Sequence, residues 1–220
     1  MRTLIVTTAT DKPLVDTWLR SLISRGKYNG DILVMDYDLS DKTRKYLHSF
    51  KNILLVRCQP VYIYLASDRW RAAYECIKKI YTKYDIIMMI DGNDIEFFKP
   101  IQPLFELATK EVCFVTNAET NGNWKQYIGP PDATEVWNCI KDKPIINAGM
   151  IVGPAELIYK VLEHVAEKLK YADYFGMDQL ALNGYLYYYK NVSSRELFWE
   201  WNYDALSLIH ISEPTRQAEI

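Results

Sequence analysis

The stretch "IIMMIDGNDIEFF" (residues 86–98) carries the residues most able to do chemistry. An apolar run climbs to Asp91, Gly92, Asn93 and Asp94 follow, and apolar character resumes at Ile95. Two carboxylates this close repel each other, and each is costly to bury without a partner. A divalent cation removes that cost. Magnesium or manganese is typically held by one or two carboxylates, with substrate phosphates at its other positions. Asp91, Asn93 and Asp94 are the candidate metal ligands, and Gly92 lets the backbone turn sharply and a ligand come close. The plain alternative is a turn, which Asp-Gly and Asn-Asp also favour.

Three other segments add to this one. "TTAT" puts Thr7, Thr8, Ala9 and Thr10 at the end of the first apolar run, where hydroxyls, amides and a small side chain could border a nucleotide base. Strand propensity alone would also account for them. "INAGM" sets Asn147, Ala148 and Gly149 inside a strand-like run; glycine there often marks close approach by a ligand or backbone, and a buried Asn must find partners. "MDQLALN" carries Asp178 and Gln179 at a helix start, where capping is the ordinary role of Asp.

The elements that must position these residues alternate regularly. Strands are expected at 3–10, 31–38, 52–59, 85–91, 111–117 and 145–154. Helices are expected at 11–25 (Leu14, Trp18, Leu22 and Ile23 inward), after Ser40, at 67–84 (Trp70, Ala73, Ile77 and Ile80 on one stripe), at 103–110, at 155–170 and at 176–186. "YYYKNV" and "LFWEWNY" read as strands or edge segments. Alternating strands and helices mean βαβ units: an α/β fold, Rossmann-like, with a mainly parallel central sheet and helices on both faces. Its strands are continuously apolar because both faces are covered. From 118 to 144 the pattern breaks into a long loop, with a helical turn around "ATEVWNCI".

The 220 residues, 49% hydrophobic, suffice for one large domain with a sizeable core. A net charge of −2 lacks the basic footprint of a nucleic-acid binder. The 17 tyrosines suit both core and the walls of a sugar or nucleotide site. Cys58, Cys76, Cys139 and Cys113 form no CxxC pair, which argues against zinc and for reduced, buried cysteines. The start of the chain is too short and too soon polar for a signal peptide, and no apolar run reaches membrane-spanning length, so no transmembrane segment and a cytoplasmic location are expected. His164 falls in an amphipathic helix pattern and reads as structural.

Residues 206–220, "LSLIHISEPTRQAEI", resemble the translation of a transposase-type sequencing-library adapter, matched from Leu206 through Arg216. The expectation is a domain over 1–205, incomplete at its C-terminus, followed by a non-native tail that includes His210.

A strand-end Thr-Thr-Ala, a helix containing Arg71, hhhhDGND, NAG, and DQ followed by Leu and Asn occur here in one order. That order resembles the GT-A-fold nucleotide-sugar glycosyltransferases, most nearly glycosyltransferase family 8, over nearly all of residues 1–204. The resemblance implies a UDP-sugar donor, a glycan or other hydroxyl acceptor, manganese or magnesium, and transfer with retention. It implies that Thr7, Thr8 and Ala9 line the uridine site, and that Arg71, in preference to Arg69, reaches the nucleotide or its phosphates. Asp91 would be the first carboxylate of the DxD motif; Asn147, Ala148 and Gly149 would border the donor sugar. Asp178 would hydrogen-bond sugar hydroxyls, and Gln179 would sit beneath the anomeric carbon. Two departures stand out. Asn93 replaces the second Asp of DxD, with Asp94 displaced by one, and the further metal-ligating His of the family has no counterpart after His164.

Rival readings fit less well. A haloacid-dehalogenase-type phosphatase wants DxDx[TV] near the chain's beginning. A sugar-1-phosphate nucleotidyltransferase wants a glycine-rich basic loop after the first strand, where "TTATDKP" has no glycine. A non-catalytic nucleotide-sugar- or glycan-binding protein with a degenerate metal site would explain Asn93. There is no triad signature, GxxxxGK[ST] or GxGxxG.

Overall fold

The computed structural model describes residues 1–10, 14–92, 95–123, 132–170 and 174–197. Strands β1 (Thr3–Ala9), β2 (Asp31–Asp36), β3 (Ile53–Arg57) and β4 (Ile86–Ile90) are short and mostly apolar. They form one sheet with β5 (Val112–Thr120), β6 (Pro144–Pro154) and β7 (Ser194–Glu196), in the order β3-β2-β1-β4-β6-β5-β7. β6 runs antiparallel to both its neighbours and every other pairing is parallel. The fold is therefore α/β, with a mixed, mostly parallel central sheet.

Alternation along the strands decides which helices cover which face. Leu4, Val6, Leu33, Met35, Ile87 and Met89 point to one cluster, which they share with α3 (Leu65–Ile77), α5 (Ala133–Ile140), α6 (Ala155–Leu169) and α7 (Met177–Gly184). Ile5, Ile32, Val34, Ile86, Met88 and Ile90 point to the other, shared with α1 (Leu14–Ser24), α2 (Asp41–His48) and α4 (Gln102–Leu107). Both faces of β1, β2 and β4 meet apolar side chains, whereas the edge strands β3 and β7 keep exposed positions.

Most elements fall where periodicity puts them. Ser40 caps α2 by accepting from the Thr43 amide at 3.3 Å. The differences have local causes. Ile23 is 41% exposed, lying on the outer edge of the α1 stripe instead of inward. α3 starts at Leu65 and stops at Ile77, short of the expected 84, and the chain re-forms a 3-10 turn at Tyr81–Lys83. Tyr81 stacks on Tyr159 of α6 at 4.6 Å, so a tertiary contact holds that turn where propensity would have continued the helix. β5 runs on to Thr120, shortening the expected loop, and the turn at "ATEVWNCI" is the whole of α5. "YYYKNV" is not a strand: Tyr185–Tyr189 is a π-helical continuation of α7, ended by Lys190 in the left-handed region (φ 49°). "LFWEWNY", the tail at 206–220 and His210 lie outside the described residues, apart from Leu197. All four cysteines are free, but only Cys113 is buried; Cys58, Cys76 and Cys139 are half-buried. No helix of the described residues is long and apolar enough to cross a membrane.

His164 is structural, as its position in α6 suggests. Its ring packs on Tyr185 at 4.5 Å and on Tyr189 at 4.6 Å. Burial, with nearby Lys168 adding to it and Asp132 and Glu167 opposing, pulls its pKa from 6.5 down to about 4. The folded state thus resists a proton that the unfolded chain takes up. This contribution to stability is complete above about pH 6.5 and is lost as pH falls towards about 4. Urea midpoints measured between pH 7.5 and 4.5 should fall with pH, and His164→Phe should flatten that slope.

Candidate active site

In open α/β sheets, ligands bind beyond the carboxyl ends of the strands where the strand order reverses. Here the order runs outward from β1 through β2 to β3, then returns to the other side of β1 with β4. The reversal lies between β1 and β4, and their carboxyl ends carry Thr7, Thr8 and Ala9 on one side and Asp91 and Gly92 on the other.

Gly92 closes this gap. A Cβ there would lie 1.9 Å from the Thr8 carbonyl oxygen and 2.7 Å from Thr7 Oγ1, so only glycine permits the approach. Thr7, Thr8 and Ala9 are buried beneath it. On its far side, β4 extends onto β6: the Asp91 amide donates to the Gly149 carbonyl at 2.9 Å. A Cβ at Gly149 would meet Asp91 Oδ2 and Asn147 Oδ1, each at 2.8 Å, so the missing side chain makes the space that the Asp91 carboxylate occupies. Asn147 folds back to accept from the Gly149 amide at 2.6 Å, and its Nδ2 donates to Asn117 Oδ1 at 3.3 Å.

Helix α7 supplies the third wall. It begins after Gly176 in the left-handed region (φ 87°), which glycine adopts without strain. Gln179 Oε1 accepts from the Ala148 amide at 3.2 Å. Asp178 is buried and accepts from Trp70 Nε1 at 3.2 Å. Burial raises its pKa, opposed by the Arg69 charge and by hydrogen bonds from the Gln179 amide and Trp70. One turn on, Asn183 locks α7 to β6: it accepts from the Ile146 amide at 2.8 Å and donates to the Ile146 carbonyl at 2.9 Å.

The centre of the arrangement is Arg69. Its Nη1 pairs with Asp91 Oδ1, and its Nη2 donates to the Ala148 carbonyl at 3.0 Å and lies 3.5 Å from Asp178 Oδ2. Arg71, the arginine favoured from sequence, points elsewhere. Its Nε and Nη2 donate to Asp68 at 2.9 and 2.8 Å, and Nη2 also reaches the Gln59 carbonyl. Asp68 is a hub, accepting in addition from Tyr37 Oη at 2.6 Å and from the Val61 and Tyr62 amides. Residues two apart on a helix face different ways. The signal for Arg69 was present: with Ala73 and Ile77 it falls at four-residue intervals on the inward stripe. Asn183 was quoted from sequence but given no part; its two bonds to a strand backbone need the fold to be seen.

Thus Thr7, Thr8, Ala9, Asp91, Gly92, Asn147, Ala148, Gly149, Asp178 and Gln179 gather at one edge, and Arg71 stands one helical face away. Asn93 and Asp94 lie outside the described residues. Among the described residues no cluster of three or more His, Cys, Asp or Glu could hold a metal ion. Asp91 does keep Oδ2 in the Gly149 cradle, clear of the oxygen that meets Arg69. One hard oxygen of that kind fits a magnesium- or manganese-type cation that retains water or phosphate elsewhere. No protein-family model matches the chain, and no curated protein matches it either.

Two substitutions test the geometry. Gly92→Ala drives a methyl into the β1 backbone and should cost about 3 kcal/mol in chemical denaturation. Asn183→Ala strands the buried Ile146 amide and carbonyl and should cost about 3 kcal/mol; Asn183→Gln, too long for both bonds, should not rescue it.

Proposed function

We propose that this chain is the nucleotide-binding core of a GT-A-type glycosyltransferase that moves a sugar from a UDP-sugar to a hydroxyl acceptor, with retention. The observation that carries the reading is the convergence of Asp91, the Asn147–Gly149 strand and the Asp178–Gln179 helix start beside the reversal point of the sheet, about a single buried arginine. These segments are remote in sequence, and packing accounts for Gly149 and part of Asn147 but not for the carboxylate of Asp91 beside them.

In this reading the β1 end and Gly92 border the uridine. Asp91 faces the diphosphate through Oδ2. A divalent cation bound there would act as a Lewis acid towards the diphosphate leaving group. Asn93 and Asp94 would complete its protein ligands. Ala148 and Gly149 present backbone to the donor sugar. Asp178 accepts from sugar hydroxyls, held by Trp70 and Arg69. Gln179, whose Oε1 is fixed by the Ala148 amide, stands next to the sugar's reacting carbon, where its dipole steadies developing positive charge. Such chemistry calls for no side-chain nucleophile with a paired base, in keeping with a site of carboxylates, amides and one guanidinium.

A second reading has one observation in its favour: Arg69 already supplies positive charge to Asp91, as a cation would. In that case the protein binds nucleotide-sugars without turning them over.

Calorimetric titration of UDP, with and without manganese, decides between them. Manganese should tighten binding, and Asp91→Asn, which keeps shape and loses charge, should weaken the manganese-dependent part by at least about tenfold. Binding indifferent to manganese, with no release of UDP from a UDP-sugar, would select the second reading. No UDP binding at all would sink both.

A further inference from the structure

Helices α3 and α6 line a cleft of about 950 Å³, a volume that suits a small ligand. It is not the strand-end site. Neither Asp91, Gly149, Asp178 nor Gln179 lines it, whereas Arg71, which turns away from that site, does. Its charges balance: Arg71, Lys160 and Lys170 stand against Glu75, Glu163 and Glu167. Most of them are also spent within the chain. Asp68 holds Arg71, Glu156 holds Lys160, Glu167 holds Lys170 and Lys78 holds Glu75. Such a wall has little net field to draw in a phosphate or a metal cation.

The hydrogen bonds it leaves unmade are of mixed kind. Tyr185 is 4% exposed and lines the cleft, yet its hydroxyl has no hydrogen-bond partner among the described residues. Buried hydroxyls are seldom left so. Burial and the nearby Glu163 charge raise its pKa, which keeps it a neutral hydroxyl. Glu163 Oε1 accepts from Tyr74 at 3.2 Å and Tyr159 at 3.0 Å, and its Oε2 has no partner among the described residues. Arg71 spends Nε and Nη2 on Asp68 and the Gln59 carbonyl and keeps Nη1. One acceptor, one donor and one group that can do both remain. A ligand rich in hydroxyls matches that set, because each hydroxyl also donates and accepts. Tyr62 and Tyr74 add flat, partly apolar walls.

We propose that this cleft is a carbohydrate-binding site for a neutral saccharide, separate from the strand-end site. Glu163 Oε2 accepts from a sugar hydroxyl, Arg71 Nη1 donates to a sugar oxygen, and Tyr185 Oη bonds a third group. Binding here needs neither nucleotide nor metal, so it does not rest on the glycosyltransferase reading.

The test titrates methyl glucoside, methyl galactoside and methyl N-acetylglucosaminide, each to about 50 mM, into the folded chain with isotope-labelled tyrosine rings, and inorganic phosphate in parallel. At least one sugar should move the nuclear magnetic resonance signals of Tyr62, Tyr74 and Tyr185 in a saturable way, and phosphate should not. Tyr185→Phe removes only the hydroxyl and leaves the ring packed on His164; it should weaken that sugar about fivefold. Glu163→Gln, which exchanges the unused acceptor for a donor, should weaken it to a similar degree. An excess of UDP with manganese should not displace the sugar. The proposal is overturned if no sugar moves these signals, if phosphate saturates them instead, if both variants bind as the unmutated chain does, or if UDP displaces the sugar. Failure of UDP to bind would sink the glycosyltransferase reading and leave this site standing.

Discussion

The site depends on one guanidinium. Asp91 ends a buried strand and Asp178 starts a buried helix, and neither carboxylate could sit so close to the other without a cation between them. Arg69 provides it, touching both and also the Ala148 carbonyl of the strand that separates them. One side chain therefore ties α3, β4, β6 and α7 together. Its single positive charge does not balance two carboxylates. Burial of Asp178 partly answers this by favouring the protonated acid. A diphosphate brought to Asp91 would add further negative charge, which is why a bound divalent ion belongs in the glycosyltransferase reading and a purely arginine-based site would bind such a ligand less well.

Holding Arg69 in place is the work of its neighbours on α3. Asp68, fully buried, takes bonds from Tyr37, Arg71 and two amides of the segment before the helix. Burial alone would raise its pKa, but the Arg71 and Tyr37 bonds and the two amides outweigh burial and hold it low. Asp68 and Arg69 are consecutive and point to different partners, so the hub fixes the rotation of the helix that sends the next residue into the site. The bonds that Asp68 accepts offset the cost of burying its charge.

How much of this can be read from sequence follows from which forces are local. The strands were legible because burial on both faces forces unbroken runs such as Ile86–Ile90, and the α2 boundary because Ser40 caps through its own side chain. The early end of α3 was not, since a Tyr81–Tyr159 stack across 78 positions decides it. The antiparallel sense of β6 was equally hidden: "IINAGMIVGP" reads like the parallel strands of the sheet, and direction depends on how the chain returns to β4. Residue types at the site were legible and their partners were not. Arg69 and Arg71 differ only by which face of one helix they occupy.

The reversed strand explains the NAG sequence without reference to any ligand, and that sharpens what remains for function to explain. Because β6 runs against β4, its Asn147–Gly149 segment passes beside the end of β4 with Asp91 already hydrogen-bonded across to Gly149. Gly149 must be small for Asp91 to fit, and Asn147 ties off the Gly149 amide. Packing thus accounts for Gly149 and for one half of the Asn147 amide. It does not account for Asp91. A hydrophobic residue there would need no arginine, no glycine opposite and no Asp178 counterpart. The glycine opposite and the Arg69 guanidinium both accommodate a carboxylate at the end of β4, and packing alone calls for no carboxylate there.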